Sequence, residues 1–265
     1  MKNKIVLFDM DGTLTESRKE FNSKTLENCL YQLTNTGVHI GIITGSDLDY
    51  LQEQMGTFLK NSSCRYKTHL LPCNGTKYLK PPEFATGSHK LVHDMSMRKH
   101  LGESDFRNLM QEIIYSQVDI SSNSIPLTGH FINYRGSMIN WCPIGRNANS
   151  NERERFVMMD KEEKIRLRVL SELKSMLELK DLSNKITIKL GGDTSFDIYP
   201  KGWDKTYGLK HFPNWETWFV GDRCYENGND FEIYQKCLGK SYETTGPSET
   251  VKIIEEIILN LKGLK

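Results

Sequence analysis

Residues 4–13 read Lys4-Ile5-Val6-Leu7-Phe8-Asp9-Met10-Asp11-Gly12-Thr13, and the fold follows from how that run ends. The apolar stretch from Ile5 to Phe8 predicts a strand buried on both faces, as in a parallel sheet covered by helices. It delivers two aspartates two residues apart and then stops at a glycine. Residues at i and i+2 of a strand share a face. At a frayed strand end the backbone can turn, so the two carboxylates can reach one reacting atom from different sides. Two like charges so close are costly unless a cation or substrate uses them. The doublet therefore reads as a nucleophile with an acid/base beside it, gathered around a divalent ion.

Downstream of the doublet, the spacing of Leu26, Leu30 and Leu33 predicts a helix from Ser23. Val38 to Ile43 reads as a second strand ending in Thr44-Gly45-Ser46-Asp47. A helix is expected over Leu48 to Met55, capped near Ser46 or Asp47 and closed by Gly56. His69-Leu70-Leu71 reads as a third strand before the turn Cys73-Asn74-Gly75. This βαβαβ alternation implies parallel strands with helices on both faces.

From Pro81-Pro82 the texture changes. A helical segment around Asp105 to Tyr115 precedes alternating runs at 131–135 and 138–141, a charged helix over Asp160 to Leu177 with Asp160 as its cap, and further alternating runs at 186–190 and 195–199. Such alternation marks an antiparallel sheet with one face buried and one available. The reading is a core of residues 1–85 and 200–265, interrupted by an inserted domain at 86–199. In the second half of the core, Trp218-Phe219-Val220 ends in Gly221-Asp222, repeating the strand-then-aspartate pattern. Pro247-Ser248-Glu249 opens a terminal helix with Val251, Ile254, Ile257, Ile258 and Leu261 inward.

Bulk composition narrows the function. With 35 basic and 34 acidic side chains in 265 residues the formal net charge is +1, which argues against a general nucleic-acid binder. A content of 37% hydrophobic and 26% charged residues suits a globular domain. No stretch approaches the roughly 20 apolar residues that span a bilayer, and the opening apolar run meets Asp9 too soon for a signal peptide. Cys29, Cys64, Cys73, Cys142, Cys224 and Cys237 lack metal spacing, so reduced thiols and a cytoplasmic location are expected.

In open parallel sheets ligands bind beyond the carboxyl ends of the strands. Three such ends carry polar groups suited to one site: Asp9/Asp11, Thr44/Ser46 and Asp222. Lys205, just after the insertion, is a fourth candidate. Asp9, the backbone carbonyl of Asp11, and Asp222 would suit a magnesium ion, with Asn229 and Asp230 holding those ligands in place. With phosphate bound, Lys205 and the Thr44 hydroxyl would orient its outer oxygens. Asp9 would attack phosphorus, and Asp11 would protonate the leaving oxygen and later deprotonate the incoming hydroxyl. Alone, a DxDG is more often a solvated turn and Lys205 a surface lysine, and Thr44 could be a helix-start residue. It is their joint order along the chain that promotes them.

The insertion has its own signal, with Arg135, Arg146, Arg153 and Arg155 crowded into about twenty residues. Guanidinium forks suit phosphate, while Ser195 and Asp197, on one strand face, suit phosphate and sugar hydroxyls. Glu152 and Glu154 interleave with two of the arginines, so a solvated charged face is the competing reading. One of Arg153 and Arg155 is expected to be a surface residue only.

At this point the chain resembles the haloacid-dehalogenase-like (HAD) superfamily of phosphotransferases, and more narrowly the eukaryotic-type phosphomannomutases. The stretches that carry the resemblance are LFDMDGTLTESR (7–18), GSDLDYLQEQMG (45–56), NGTKY (74–78), MINWCPIGR (138–146), ER (152–153), GGDTSFDIYPKGWDKTY (191–207), GD (221–222) and GND (228–230). The resemblance implies an α/β fold, a HAD-like Rossmannoid parallel-sheet core with an inserted α+β cap that binds substrate and forms a homodimer. It also implies Mg2+, conversion of mannose 6-phosphate to mannose 1-phosphate for GDP-mannose synthesis, and a hexose 1,6-bisphosphate activator.

Carried over by position, Asp9 resembles the nucleophile and Asp11 the acid/base. Arg18, Arg135, Arg146, Arg153, Ser195 and Asp197 match sugar-phosphate-binding positions, Asn140 matches less closely, and Lys205 and Asp222 match the core phosphate and metal positions. Thr44, Cys73 and Arg223 stand where these mutases commonly have glycine, glutamate and lysine. Competing readings are a sugar-phosphate phosphatase with the same nucleophile, a phosphohexomutase preferring glucose phosphates, and a catalytically silent sugar-phosphate binder. The last would be marked by loss of Asp9, Asp11, Lys205 or Asp222, and all four are present.

Overall fold

The computed structural model describes residues 2–84, 87–122 and 124–263. Its first elements are β1 (Lys4–Phe8), α1 (Lys24–Asn35), β2 (His39–Ile43), α2 (Leu48–Asn61), β3 (Thr68–Leu71), β4 (Lys77–Lys80) and β5 (Lys90–Asp94). Then follow α3 (Met97–Leu101), α4 (Glu103–Ile120), β6 (Ile132–Tyr134), β7 (Ile139–Trp141), α5 (Ser150–Glu163), α6 (Ile165–Leu179), β8 (Ile186–Gly191) and β9 (Ser195–Pro200). The chain ends with β10 (Glu216–Gly221), α7 (Phe231–Lys236), β11 (Ser241–Glu243) and α8 (Pro247–Leu261).

These elements form two compact units. One comprises the chain up to Asp94 together with the chain from Trp203 onward, and the other comprises Met95–Gly202. The inserted unit therefore starts later and ends later than the 86–199 read from sequence, and the expected junction at 85–86 lies outside the described residues. Lys90–Asp94 stays with the first unit because β5 pairs antiparallel with β4, and β4 with β3. The polar texture after Pro81 hid this short hairpin.

In the first unit a seven-stranded sheet runs in the order β11-β10-β1-β2-β3-β4-β5. Its five strands from β11 to β3 are mutually parallel. β1 is central, and Ile5, Val6, Leu7 and Phe8 are wholly buried. Alternate side chains enter two different layers. Val6 and Phe8 pack with Leu26, Leu30, Ile254 and Ile257 from α1 and α8. Ile5 and Leu7 pack with Ile43, Leu71 and Phe219. Burial of each such side chain contributes roughly 1.5–3 kcal/mol, and that is what drives the following polar residues to the strand's carboxyl end.

The helix starts follow from their caps. The Ser23 hydroxyl accepts the Leu26 amide at 3.2 Å, and the Asp47 carboxylate accepts the Tyr50 amide at 3.0 Å. Gly56 does not close α2, which continues to Asn61. Phe58 and Leu59 extend its buried stripe, and their burial outweighs the roughly 1 kcal/mol cost of a helical glycine. In α8 the innermost residues are Ile253, Ile254, Ile257 and Ile258, while Val251 and Leu261 are only partly buried.

The second unit holds an antiparallel sheet in the order β6-β7-β9-β8. On its apolar face the Trp141 and Phe196 rings stack with centroids 4.7 Å apart. The charged helix read as one segment is two, broken at Lys164, whose φ of 54° is left-handed. Asp160 is not the N-cap residue. It lies in the last turn of α5 and reaches across the break, accepting the Arg166 amide at 2.6 Å and the Arg166 Nε at 2.8 Å.

A histidine cluster in the first unit makes folding sensitive to acid. The His69 Nε2 lies 3.0 Å from His39 Nδ1, and its Nδ1 lies 2.8 Å from the Tyr78 hydroxyl. Burial, with His39 alongside, pushes His69 down to about 3, and burial also lowers His39, His89 and His211. Below the ordinary histidine value near 6.5 the unfolded chain binds protons that the folded one refuses. Stability present above that pH is therefore lost as pH falls toward 3, at about 1.4 kcal/mol per pH unit for each proton so linked. We predict that urea unfolding shows this loss between pH 7 and 5 and that His69→Gln flattens the slope; an unchanged slope would contradict it.

Candidate active site

β1, β2 and β10 present their carboxyl ends side by side, because Phe8 lies opposite both Val220 and Ile42. The Asp9 amide extends the ladder by donating to the Val220 carbonyl at 2.9 Å, so the first aspartate is fixed by the sheet itself. The chain then turns, with the amides of Leu14 and Thr15 donating to the Met10 carbonyl. Gly12 has φ +79°, and a Cβ there would come within 2.4 Å of the Asp222 carboxylate. Only glycine lets this turn lie against the end of β10.

Lys205 opens a short 3-10 helix, Lys205–His211, that Asp204 caps by accepting the Thr206 amide at 2.8 Å. The lysine is 1% exposed, with its ammonium 2.6 Å from Asp9 Oδ1 and 2.5 Å from Asp230 Oδ1. A buried ammonium persists only when paired. Burial acts to discharge it, but the carboxylates of Asp230 and Asp9 more than offset this and hold it above its ordinary value. The other Asp230 oxygen accepts the Arg223 amide at 3.1 Å. Asp230 thus ties Lys205 to the turn that carries Asp222.

Asp9, Asp222 and Asp230 each bring a carboxylate oxygen within 4.8 Å of the others. Burial first, and then the charge of Asp230, raise Asp9 well above the ordinary carboxylate range, with Lys205 opposing. The same two causes raise Asp222. Asp222 Oδ1 and Asn229 Oδ1 are buried without a hydrogen-bond partner. Hard oxygen donors, excess negative charge and orphaned acceptors together fit a divalent cation. Asp9 and Asp222 could hold it, since both oxygens of Asp230 are already engaged.

The Asp11 carboxylate lies outside this trio. Its Oδ1 accepts the Arg18 amide at 2.9 Å and the Tyr50 hydroxyl at 3.1 Å. Thr44 is buried just beyond β2, where its hydroxyl accepts the Ser46 amide at 3.1 Å and its carbonyl accepts the Asn74 amide at 2.8 Å. Cys73 and Asn74, both buried at positive φ, shape that turn, and the Asn74 side chain donates to the Trp203 carbonyl at 3.1 Å. Neither Tyr50 nor Asn74 was a candidate from sequence. Their contacts bridge 39 and 129 residues, and only the position of Tyr50 in the first turn after the Asp47 cap hinted at it.

In the second unit, β7 pairs with β9 so that Asn140 lies opposite Asp197. Asn140 donates to Asp197 Oδ1 at 2.9 Å and accepts from Arg146 Nη1 at 2.9 Å. Arg153 donates to the Ala148 carbonyl at 3.0 Å, the Thr194 hydroxyl at 2.9 Å and the Arg146 carbonyl at 3.0 Å. Ser195 is buried on the same strand face as Asp197. Arg135 is half-buried at the β6–β7 hairpin, its amide donating to the Met138 carbonyl at 2.8 Å. Arg155 is exposed on α5, beside the half-buried Arg153. Arg18 belongs to the first unit, with an exposed side chain and a left-handed φ of 62° that turns its amide to Asp11. Thr194, which steadies Arg153, was not anticipated.

The carboxylate trio yields a measurable consequence. A cation that relieves its repulsion binds the folded chain alone and stabilises it, by about 2.7 kcal/mol at a hundredfold excess over Kd. Magnesium should therefore raise the thermal midpoint at neutral pH in a concentration-dependent way, and Asp222→Asn should remove most of that rise. A midpoint indifferent to magnesium would count against the site.

Comparison with known proteins gives the same direction. Residues 26–260 match the family model described as eukaryotic phosphomannomutase. The chain is 37% identical to a phosphomannomutase of Galdieria sulphuraria, over 96% of this chain and 94% of that one. It is 36% identical to a phosphomannomutase of Arabidopsis thaliana, over 93% of each. Among solved structures, an IMP-nucleotidase of Plasmodium falciparum superposes with a TM-score of 0.68 at 14% identity, covering 98% of this chain and 71% of that one, a likeness of fold. The chain belongs to the eukaryotic phosphomannomutase family.

Proposed function

We propose that this protein is a phosphomannomutase that interconverts mannose 6-phosphate and mannose 1-phosphate, with Mg2+ as its cation and a hexose 1,6-bisphosphate as activator. The observation that carries the reading is the buried Asp9–Lys205–Asp230 ion triplet beside Asp222, in a chain of this family. A carboxylate held by a buried ammonium next to a cation site is built to receive a phosphoryl group.

In the proposed cycle a carboxylate oxygen of Asp9 bonds to phosphorus as the phosphorus–sugar oxygen bond breaks. Asp11 gives its proton to the departing sugar oxygen, and in the return step it takes the proton of the attacking sugar hydroxyl. Asp9 and Asp222, with Asn229 in support, would hold the cation, which would supply positive charge that lets a phosphate dianion meet a carboxylate. The carbonyl of Asp11 would add a further ligand. Lys205 and the Thr44 hydroxyl would orient the outer phosphate oxygens.

A mutase, unlike a phosphatase, must hold a sugar with two phosphates and let each reach the nucleophile in turn. The second unit supplies groups suited to that. Arg146 and Arg153 can grip phosphate, with Arg135 of the same unit and Arg18 of the first unit as further donors, while Asn140, Asp197 and Ser195 are suited to hydroxyls and phosphate. A cytoplasmic homodimer joined through the second unit, feeding GDP-mannose synthesis and engaging neither nucleic acid nor membrane, completes the reading. No helix among the described residues is long and apolar enough to cross a membrane.

Phosphorus NMR with mannose 1-phosphate, magnesium and a trace of mannose 1,6-bisphosphate tests it. Mannose 6-phosphate should accumulate; stoichiometric free phosphate would instead identify a phosphatase. Asp9→Asn should reduce kcat at least about a thousandfold, in the range of nucleophile deletions. Arg153→Ala should raise KM for the sugar phosphate while leaving hydrolysis of a small aryl phosphate within about twofold, and equal loss of both would remove Arg153 from phosphate recognition.

A further inference from the structure

The acid/base carboxylate is held by two donors that meet on a single oxygen. Asp11 Oδ1 accepts the Arg18 amide at 2.9 Å from its own loop and the Tyr50 hydroxyl at 3.1 Å from α2. Tyr50 is itself anchored. Its amide is capped by Asp47 at 3.0 Å, and its ring packs against the core cluster that holds Phe8 and Leu51.

We infer that Tyr50 is a positioning residue for phosphoryl transfer, holding Asp11 so that the proton delivered to the leaving oxygen travels on Oδ2. The inference rests on the reading of Asp11 as acid/base. An oxygen that already faces two donor hydrogens is a poor seat for a third, so the transferable proton resides on its partner oxygen. The hydroxyl also fixes the carboxyl's rotation, which the loop amide alone leaves free to swing. It keeps this carboxylate out of the Asp9–Asp222–Asp230 trio, where a fourth negative charge would compete for the cation. In the step itself, an Asp9 carboxylate oxygen bonds to phosphorus as the phosphorus–sugar oxygen bond breaks, the proton on Asp11 Oδ2 passes to that sugar oxygen, and Tyr50 keeps its own proton throughout.

Leaving-group dependence separates this role from a structural one. A sugar alkoxide needs a proton to depart, whereas p-nitrophenolate departs without one. Kinetics of Tyr50→Phe, with magnesium, followed at steady state on mannose 1-phosphate and as the first-turnover burst of p-nitrophenolate on p-nitrophenyl phosphate, should show an asymmetric loss, because the burst precedes the return step in which Asp11 acts as base. We expect kcat on the sugar to fall about tenfold, a part of the 10²–10⁴ that general acid–base catalysis supplies. KM should stay within about twofold, the rate of the p-nitrophenolate burst within about twofold, and the thermal midpoint unchanged.

Equal losses on both substrates, or no loss on the sugar, would overturn the inference. A wild-type protein inert toward mannose phosphates would instead contradict the mutase reading. The Tyr50 comparison then proceeds with glycerol 2-phosphate as the alkyl substrate, and the same asymmetry is expected.

Discussion

The structure depends on one buried ammonium. Lys205 lies almost wholly out of water between Asp9 and Asp230, at 2.6 and 2.5 Å. A charge so placed costs several kcal/mol to desolvate, and removing either partner leaves the remainder uncompensated. The triplet joins three separate stretches of chain: the end of β1, the 3-10 turn after Trp203, and the loop preceding α7. It therefore connects the two halves of the first unit that the insertion separates in sequence. The same contacts leave Asp9 and Asp222 crowded by negative charge, so the arrangement that stores the repulsion also creates the demand for a cation. Stability and chemistry here share one electrostatic cause.

The two units divide the chemical work. In the proposed cycle the first unit contains the groups that form and break the phosphorus–oxygen bond. The second contains hydrogen-bonded arginines leading through Asn140 to Asp197. That chain of bonds shows how guanidiniums can be kept ready. Arg153 spends three donors on the protein and Arg146 at least one, which fixes their planes before any ligand arrives and lowers the entropic cost of binding.

How much of this was legible in the sequence follows from the range of the interactions. β1 and Asp9 were legible because four fully buried residues in a row allow few alternatives. The strand ends at Thr44 and Asp222 were legible for the same reason. The β4–β5 hairpin was missed because its strands are short and carry lysines at their exposed ends. The break at Lys164 was missed because a lysine in a left-handed conformation leaves no mark of the kind glycine does. Gly56 misled in the opposite sense, since the apolar residues beyond it decided the helix length. Tyr50, Asn74 and Thr194 act through single side-chain contacts across long sequence separations, and no periodicity encodes those. Asp230 was legible as a support for the ligands, but its ion pair with Lys205 was visible only in three dimensions.

The central claim is that the phosphoryl group is carried on the first aspartate of the doublet. Mixing the protein with a hexose 1,6-bisphosphate and magnesium, quenching within one turnover, and reducing the acyl phosphate with borohydride converts the phosphorylated residue to homoserine. Peptide mass spectrometry should then locate homoserine at position 9 and at no other aspartate. Homoserine elsewhere, or its absence while turnover proceeds, would contradict the account.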